Sequence, residues 1–428
     1  MKAVVITIGD EILLGQVLNT NAAYLSTGLY SIGIPVGRMI TAPDNEKEIL
    51  KEFRSAFKNY DVIIVTGGLG PTHDDITKKC IAKFFKSELI LNKRILRQIK
   101  EMFRRRKIRM PAINTEQAKI PAISKALTNK AGTAPGILIE KNKKIFYALP
   151  GVPAEMKYIS ENSLFPYLRR RLPRRSASRK SGGLQIIKYR TLHTIGIAES
   201  ALYKKIGDIS KIETKKKGVE TRIAFLPANF EVRIRVTVFA DNEKLANNAL
   251  DSAAGKLKSK AGKYIYSYDE SPIEKVAGEM LLKKRLTLSV AESCTGGLIA
   301  SKITDVPGSS GYFLESIIPY SDEGKIKLLG VKQNNLKKYG AVSKQTALEM
   351  AEGARKNSDA DIGLSTTGIA GPDGGTKKKP VGLVWIGYSD KKNSFAKDFY
   401  FTKDRLRNKE MMTKMALEIL RRKLLNIL

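Results

Sequence analysis

The sequence predicts an α/β protein whose first domain is built on a doubly wound parallel sheet. Two runs, AVVITI at residues 3–8 and DVIIVT at 61–66, are almost entirely apolar and β-branched, which is typical of strands buried on both faces. A glycine-bearing turn and then a helical pattern follow each run. Since ligands bind at the carboxyl ends of the strands in such sheets, we expect the two turns to meet at one site.

Length sets the expected number of domains. The 428 residues exceed one ordinary core, so we divide the chain into a parallel-sheet domain at 1–170, a linker with a small α+β module at 171–265 and a further α/β domain at 266–428. In the middle module, FEVRIRVTVFA alternates as a half-buried strand does, and a helix is predicted over 242–261. We expect this module to serve as a spacer or in dimerisation, so the expected assembly is a homodimer.

Net charge and composition limit the kinds of partner that the chain is expected to have. The chain has 76 Lys and Arg against 42 Asp and Glu, and a net charge of +34 attracts polyanions. Because the excess is spread along the chain, we interpret most of it as solvated surface and leave nucleic acid open as a partner. Two cysteines and two histidines are too scattered for a zinc site. No apolar run approaches the about 18 residues of a membrane span, which predicts a cytoplasmic protein without a membrane partner.

The turns of the first domain carry groups suited to a nucleotide diphosphate. Backbone amides at Gly67, Gly68 and Gly70 can approach a phosphate, helped by the amino end of the next helix. The remaining candidates are carboxylates for Mg²⁺ or a similar divalent cation (Asp10, Asp74, Asp75) and hydrogen-bonding side chains for the substrate (Asn19, Asn21, Thr72). The alternative is that the glycines only make turns and the acids only cap helices.

The last domain holds a dense cluster of hydroxyl and amine side chains. Ser309, Ser310, Tyr320 and Lys325 fall within the stretch VPGSSGYFLESIIPYSDEGK at 306–325. A nucleophilic serine needs a neighbour that takes its proton, and since no histidine is near, a lysine or tyrosine is expected. Two glycine-rich segments, AESCTGG at 291–297 and TTGIAGPDGGT at 366–376, are candidates to close around the cluster. In the first of them Ser293 is either a nucleophile or a helix cap.

Several motifs together carry a family resemblance. GDEILLGQVLNTN at 9–21, VTGGLGPTHDDIT at 65–77 and LPGVPAEM at 149–156 resemble the molybdopterin-binding-type domain of the CinA family of competence/damage-inducible proteins. The resemblance continues through HTIGIAESAL, AESCTGG, YSDEGK and TGIAGPDGGTKKKPVG, so it spans nearly the whole chain. It implies metal-dependent hydrolysis of ADP-ribose in the first domain and deamidation of nicotinamide mononucleotide in the last.

The resemblance also implies residue roles in the deamidase. Ser310 attacks the carboxamide, Lys325 and Tyr320 relay its proton, and the hydroxyl residue before GIAGP is Thr367. Substrate contacts are expected from Ser293, Thr295, Gly296 and Gly371, and from Arg405, which matches a family arginine that contacts the substrate phosphate. No cofactor is expected in this domain.

The chain departs from the family pattern close to these residues. Glu315 and Ser316 replace a glycine pair, and Asp322 replaces an asparagine close to Lys325, where a carboxylate tends to raise the lysine's pKa. Gly324 and Lys403 are further departures. The second hypothesis is therefore a nucleotide- or nucleic-acid-binding protein whose catalytic sites have decayed.

Overall fold

The computed structural model describes residues 1–72, 75–172, 186–228 and 230–428. The chain divides into two compact units, Met1–Ile187 and Lys188–Leu428. The arginine-rich linker predicted near Gly182 and Gly183 lies outside the described residues. Across the described ranges, no helix combines the length and apolar character that crossing a bilayer requires.

The first unit contains a six-stranded sheet in the order β2-β1-β3-β8-β7-β6 and a separate two-stranded sheet of β4 and β5. Its strands are β1 (Ala3–Ile8), β2 (Val36–Ala42), β3 (Val62–Thr66), β4 (Leu89–Leu91), β5 (Lys119–Pro121), β6 (Lys125–Leu127), β7 (Gly136–Lys141) and β8 (Lys144–Leu149). Its helices are α1 (Asp10–Leu13), α2 (Thr20–Ser31), α3 (Glu46–Asn59), α4 (Thr77–Phe85), α5 (Lys93–Arg105), α6 (Asn114–Gln117), α7 (Pro153–Ile159) and α8 (Phe165–Arg171), with a π-helical turn at Ser160–Leu164.

The central strands of this sheet are buried on both faces, which confirms the predicted doubly wound arrangement. β1 pairs in parallel with β2 and β3, and β3 pairs in parallel with β8. Val4 and Ile6 pack into a core layer with Phe53 of α3, whereas Ala3 and Val5 pack on the other face with α2. Burying an aliphatic side chain of this size contributes about 1.5–3 kcal/mol, so the continuous apolar pattern has a direct energetic cause.

The second unit begins with the predicted small α+β module. Its strands are β9 (Ile186–Ile195), β10 (Lys215–Lys216), β11 (Val219–Ala228), β12 (Glu231–Ala240) and β13 (Ile265–Ser267), in the sheet order β10-β11-β12-β9-β13. Its helices are α9 (Glu199–Ile206) and α10 (Glu243–Ala261). Burial alternates along β12, as the sequence pattern predicts. The predicted helix over 242–261 is α10, which begins after the cap residue Asn242.

A second sheet with both parallel and antiparallel pairs follows in the same unit, in the order β15-β14-β16-β17-β18. The strands are β14 (Leu288–Glu292), β15 (Phe313–Ile317), β16 (Ile362–Gly368), β17 (Leu383–Ser389) and β18 (Ser394–Tyr400). The helices are α11 (Ile273–Lys284), α12 (Leu298–Thr304), α13 (Asp322–Leu329), α14 (Gln333–Tyr339), α15 (Lys344–Asn357) and α16 (Arg405–Leu424), with a 3₁₀ turn at Ser309–Gly311. β14 lies between β15 and β16 and is parallel to both.

One boundary in this sheet differs from the sequence prediction in a way that affects the site. The first three residues of the segment at 366–376, expected to be a glycine-rich turn, belong to β16, because β17 runs antiparallel beside it and pairs Thr367 with Trp385. Thr366 and Thr367 are therefore strand residues and do not belong to a flexible glycine-rich loop.

Candidate functional site

In the first unit, the two predicted glycine turns meet at the carboxyl ends of neighbouring strands. Gly67 follows β3 with a φ of 110°, and its amide donates to the carbonyl of Leu149 over 3.1 Å. A Cβ at Gly67 would overlap the carbonyl oxygen of Ile8, the last residue of β1. Glycine is therefore required for the turn after β3 to pass the end of β1.

These turns border a cleft of about 540 Å³ within the first unit. The predicted residues that line it are Asn19, Asn21, Gly67, Gly68, Gly70 and Asp75. Asp10 lies next to the lining residues Gly9 and Glu11, and Thr72 donates to Asp75 Oδ2 from its amide over 3.0 Å. Asp74 lies outside the described residues. The volume is in the range of ordinary small-molecule sites.

Asn21 presents a buried acceptor to this cleft. Only 7% of the residue is exposed, and its Nδ2 donates to Gly151 O over 2.7 Å and to Thr66 Oγ1 over 3.2 Å. Within the described ranges its Oδ1 has no hydrogen-bond partner. A buried acceptor without a donor is costly, so a ligand or water group is expected to donate to it. Asn19 has a structural task as well, since its Oδ1 accepts the amide of Ala22 at the start of α2 over 3.0 Å.

Carboxylates collect at one side of the cleft. The backbone amide of Asp10 donates to Asp44 Oδ2 over 3.1 Å, and the backbone amide of Asp44 donates to Asp10 Oδ1 over 3.3 Å. Burial raises the pKa of Asp44. The hydrogen bond from the Asp10 amide opposes this shift, and the charges of Asp10, Glu11 and Asp75 add to it. Sequence reasoning missed Asp44, although it closely follows β2 at the edge where the other turns meet. Within the described residues, no three His, Cys, Asp or Glu side chains converge as a metal-binding group. The divalent metal therefore stays a prediction.

In the second unit, Lys325 is the buried amine of the predicted catalytic cluster. The residue is 1% exposed, and its Nζ donates to the carbonyl oxygens of Pro319, Tyr320 and Ser321 over 3.1, 3.2 and 3.4 Å. Burial lowers its pKa from the ordinary lysine value. The carboxylate of Asp322, 3.9 Å away, opposes this shift, as its sequence position suggests, but it does not reverse the shift.

Ser310 is separated from this lysine by a strand. It lies in the 3₁₀ turn before the amino end of β15, whereas Tyr320 and Lys325 follow the carboxyl end of the same strand. Leu288, the first residue of β14, pairs with Phe313, and Ala291 near the end of β14 pairs with Ile317. The five residues of β15 extend about 16 Å, so the structure does not bring Ser310 together with Lys325. The predicted Ser310 site is therefore corrected.

Ser293 is the serine at the same end of the sheet as Lys325. It directly follows β14, is 9% exposed, and its amide donates to Thr366 O over 3.0 Å. Its neighbour Cys294 is buried, and burial raises the pKa of the thiol to about 12. Cys294 also lies close enough to Lys325 for their charges to interact. Thr295 shares a hydrogen bond of 2.7 Å with Thr366, between the two hydroxyls. Gly296, at φ 58°, makes the turn into α12.

Arg405 connects two other predicted residues. Its Nη2 donates to Tyr320 Oη over 3.2 Å, and its Nη1 donates to the carbonyl of Gly371 over 2.8 Å. The side chain stands at the start of α16, where Asp404 caps the helix by accepting from the amide of Arg407. Tyr320 is 66% exposed, so the Tyr320–Arg405 pair is open to a ligand.

The hydroxyl of Thr367 is less available for catalysis than the sequence suggests. It is 1% exposed, and its hydroxyl donates to the carbonyl of Ala341 over 2.8 Å. Because a hydroxyl has a single proton, this bond leaves Thr367 able only to accept a further hydrogen bond.

Sequence reasoning missed two buried residues that support the site, Glu292 and Asn408. Glu292 is fully buried at the end of β14 and accepts the amides of Ile299 and Ala300 at the start of α12 over 3.0 and 2.8 Å. Ser316, one of the departures, donates to Glu292 over 3.2 Å and so has a partner. The sequence signal for Glu292 was an acid at the end of a fully buried strand, directly before a glycine turn.

Asn408 ties the glycine-rich segment after β16 to the start of α16. Its Nδ2 donates to Ala370 O and Thr402 O, both over 2.9 Å, and its Oδ1 accepts from Thr402. The burial of Asn408 follows from these contacts, which join residues of the 370 and 402 segments to α16, and no local sequence pattern indicated them.

Comparison with known proteins identifies related chains over the full length. Three family models match in sequence order: "Probable molybdopterin binding domain" over residues 4–170, "Damage-inducible protein CinA KH domain" over 189–267 and "CinA C-terminal domain" over 270–424. A "Putative competence-damage inducible protein" of Caldicellulosiruptor bescii is 45% identical over 426 residues, with all of both chains covered. A "CinA-like protein" of Kosmotoga olearia is 43% identical over 427 residues, covering 99% of each chain.

Solved structures match over shorter stretches. The crystal structure of the competence/damage inducible protein CihA from Agrobacterium tumefaciens is 36% identical, and the match covers 35% of this chain and 94% of that chain with a TM-score of 0.34.

Proposed function

The chain belongs to the CinA family of competence/damage-inducible proteins, and from that premise we propose that its last domain is an amidohydrolase that converts nicotinamide mononucleotide to nicotinate mononucleotide and ammonia. The observation that carries the proposal is the buried amine of Lys325 at the same end of the sheet as Ser293, beyond the carboxyl ends of the parallel strands β14 and β15, where ligands of such sheets bind. The lowered pKa of Lys325 increases its neutral fraction, which is the form that can accept a proton.

In the proposed reaction, Ser293 takes the role that the sequence assigned to Ser310. Its Oγ bonds to the carboxamide carbon while its proton passes to neutral Lys325, directly or through Tyr320. The carbon–nitrogen bond then breaks, and the leaving ammonia takes the proton from the lysine. Water attacks the acyl-serine, which releases the carboxylate and restores the hydroxyl. Since every step uses the chain's own groups, the activity is expected to persist in a chelator.

Activity and the need for Lys325 are tested by measuring ammonia release from nicotinamide mononucleotide with EDTA present. Lys325→Met keeps a long apolar stem and removes the amine, so the rate is expected to fall by about three orders of magnitude or more. Thermal stabilisation by the mononucleotide without any ammonia release would instead support the second hypothesis, a binding protein with decayed sites.

Arg405 is proposed to bind the substrate phosphate through its guanidinium fork, together with Tyr320. Arg405→Lys loses the bidentate geometry, so KM for nicotinamide mononucleotide is expected to rise about tenfold while turnover of the phosphate-free riboside stays unchanged. Arg407→Lys is the matched control at the same helix start. An equal loss with both substrates would contradict a phosphate contact.

A second activity, metal-dependent hydrolysis of ADP-ribose, is proposed for the first domain. The unpartnered Oδ1 of Asn21 in a glycine-lined cleft supports a ligand there, and Asp10, Asp74 and Asp75 would hold the divalent cation that neutralises a diphosphate. Burial raises the pKa of Asp44, and the charges of Asp10, Glu11 and Asp75 add to this shift; a bound cation would offset those like charges. Turnover of ADP-ribose that requires added Mg²⁺ or Mn²⁺ and is lost in Asp74→Asn would support this role, and turnover that is equal without metal would contradict it.

A further inference from the structure

A groove of about 680 Å³ runs along α5 in the first unit, separate from the residues assigned to the cleft. Its charged lining comprises five cations and one carboxylate: Arg94, Arg97, Arg105, Arg106, Lys130 and Glu101. Met102 is the one apolar side chain among its described lining residues. The excess of four positive charges is concentrated in one concave surface.

Most of these cations lack the partners that would neutralise them. Glu101 forms ion pairs of 2.8 Å with Arg104 and 3.0 Å with Arg105, which consumes the one carboxylate of the groove. In the part of the chain that the structure describes, Arg94, Arg97 and Lys130 form no ion pair. Exposed arginines of this kind are ready to form charge-assisted hydrogen bonds with an anion from solution.

The spacing of the arginines fits a repeating anion. Arg94, Arg97, Glu101 and Arg105 follow one another by three or four positions, which places them on one face of α5. From Arg94 to Arg105 this stripe is about 16 Å long, enough for about five phosphates at the 3.4 Å spacing of a stacked strand. Lys130 adds a cation from the loop on the opposite side of the groove.

We propose that this groove binds the phosphate backbone of a single-stranded nucleic acid. A cationic groove binds a single strand with little dependence on its sequence, because the contacts go to the phosphates. This role is independent of both proposed hydrolase sites.

The test compares two pairs of substitutions on the same helix in the full-length protein. Arg94→Gln with Arg97→Gln removes two groove cations, whereas Lys93→Gln with Lys100→Gln removes two exposed cations of α5 that do not line the groove. Glutamine, lysine and arginine have similar helix propensities, so both pairs are expected to fold. Lys130→Gln, in the loop, is a third variant that leaves α5 unaltered.

Binding is measured by fluorescence polarisation with a labelled oligothymidylate of about 15 nucleotides, between about 50 and 200 mM NaCl. Each lost phosphate contact lowers the magnitude of the negative slope of log K against log salt by about 0.7, so the groove pair is expected to lower this magnitude by about 1.4 and Lys130→Gln by about 0.7. The Lys93 and Lys100 pair is expected to leave the slope unchanged.

Three outcomes would overturn the proposal. Equal losses of oligothymidylate binding in the two pairs of variants would mean that the attraction is spread over the surface of α5. No binding at the lowest salt concentration would mean that the groove does not bind a single strand. Displacement of the strand by polyglutamate at equal charge concentration would show that the groove prefers acidic peptide to phosphate.

Discussion

At the scale of single residues, the site depends on the protonation of Lys325. Burial moves its pKa down and Asp322 moves it up, so the neutral fraction at a given pH reflects both. The three carbonyl acceptors around Nζ favour the charged form, and the amine must therefore lose a proton before it can take one from Ser293. A base whose pKa lies above the working pH limits the rate on the acidic side.

Asp322→Asn is predicted to shift the pH profile of ammonia release to lower pH. Because the carboxylate raises the pKa of Lys325, its removal lowers that pKa, and the rate at neutral pH rises. Asp322 is half exposed, so solvent screens part of its charge, and the midpoint of the rising limb of kcat/KM is expected to move to lower pH by a small amount. Asp322→Glu keeps the charge and is the control. A midpoint that does not move, or that moves to higher pH, would contradict Lys325 as the base.

At the scale of elements, strand order decides which residues share a site. The strands β1 and β3 and the helix α12 were predictable, because buried runs and the glycine turns that end them are local signals. The extension of β16 was not, because the pairing partner that extends it lies about twenty residues further along the chain. Ser310 was misplaced for a related reason. Only ten positions separate it from Tyr320, but those positions contain an extended strand.

Glu292→Gln is predicted to destabilise the last domain. A glutamine has one acceptor oxygen, so its amide group would face the amide of Ile299 or Ala300 in a fully buried position. Losing a charged acceptor there costs about 1.5–3 kcal/mol, which urea unfolding measures as a lower midpoint at constant slope. Glu315→Gln, on the exposed side of the neighbouring strand, is expected to change the free energy of unfolding by less than about 0.5 kcal/mol. Equal effects of the two substitutions would contradict the role of Glu292 as the anchor of α12.

At the scale of the whole molecule, the chain contains two candidate sites in two compact units. The family motifs indicated candidate residues for both. In the structure the glycine turns of the first unit meet at one cleft. Asp44, which no motif indicated, lies with the acidic residues of that cleft. Net charge was the least informative feature of the sequence. It pointed to polyanions but could not show that unpaired arginines collect in one groove, because that depends on how the 128–130 loop lies against α5.

The two proposed hydrolase activities are predicted to be lost separately. Asp75→Asn removes a carboxylate of the first unit, so ADP-ribose hydrolysis should fall at least a hundredfold while ammonia release stays within twofold. Lys325→Met should give the reverse pattern. Both activities are measured on the same preparations of full-length protein. Loss of both activities in either variant, with unchanged thermal unfolding, would contradict two independent sites.

The most direct test of the account compares Ser293→Ala with Ser310→Ala in ammonia release from nicotinamide mononucleotide. The sheet places Ser293 at the end that holds Lys325 and places Ser310 at the other end, so the two substitutions have opposite expectations. We predict that Ser293→Ala lowers kcat by three orders of magnitude or more, as removal of a nucleophile does, and that Ser310→Ala keeps kcat within about threefold. Full activity of Ser293→Ala together with loss of activity in Ser310→Ala would contradict the proposed site.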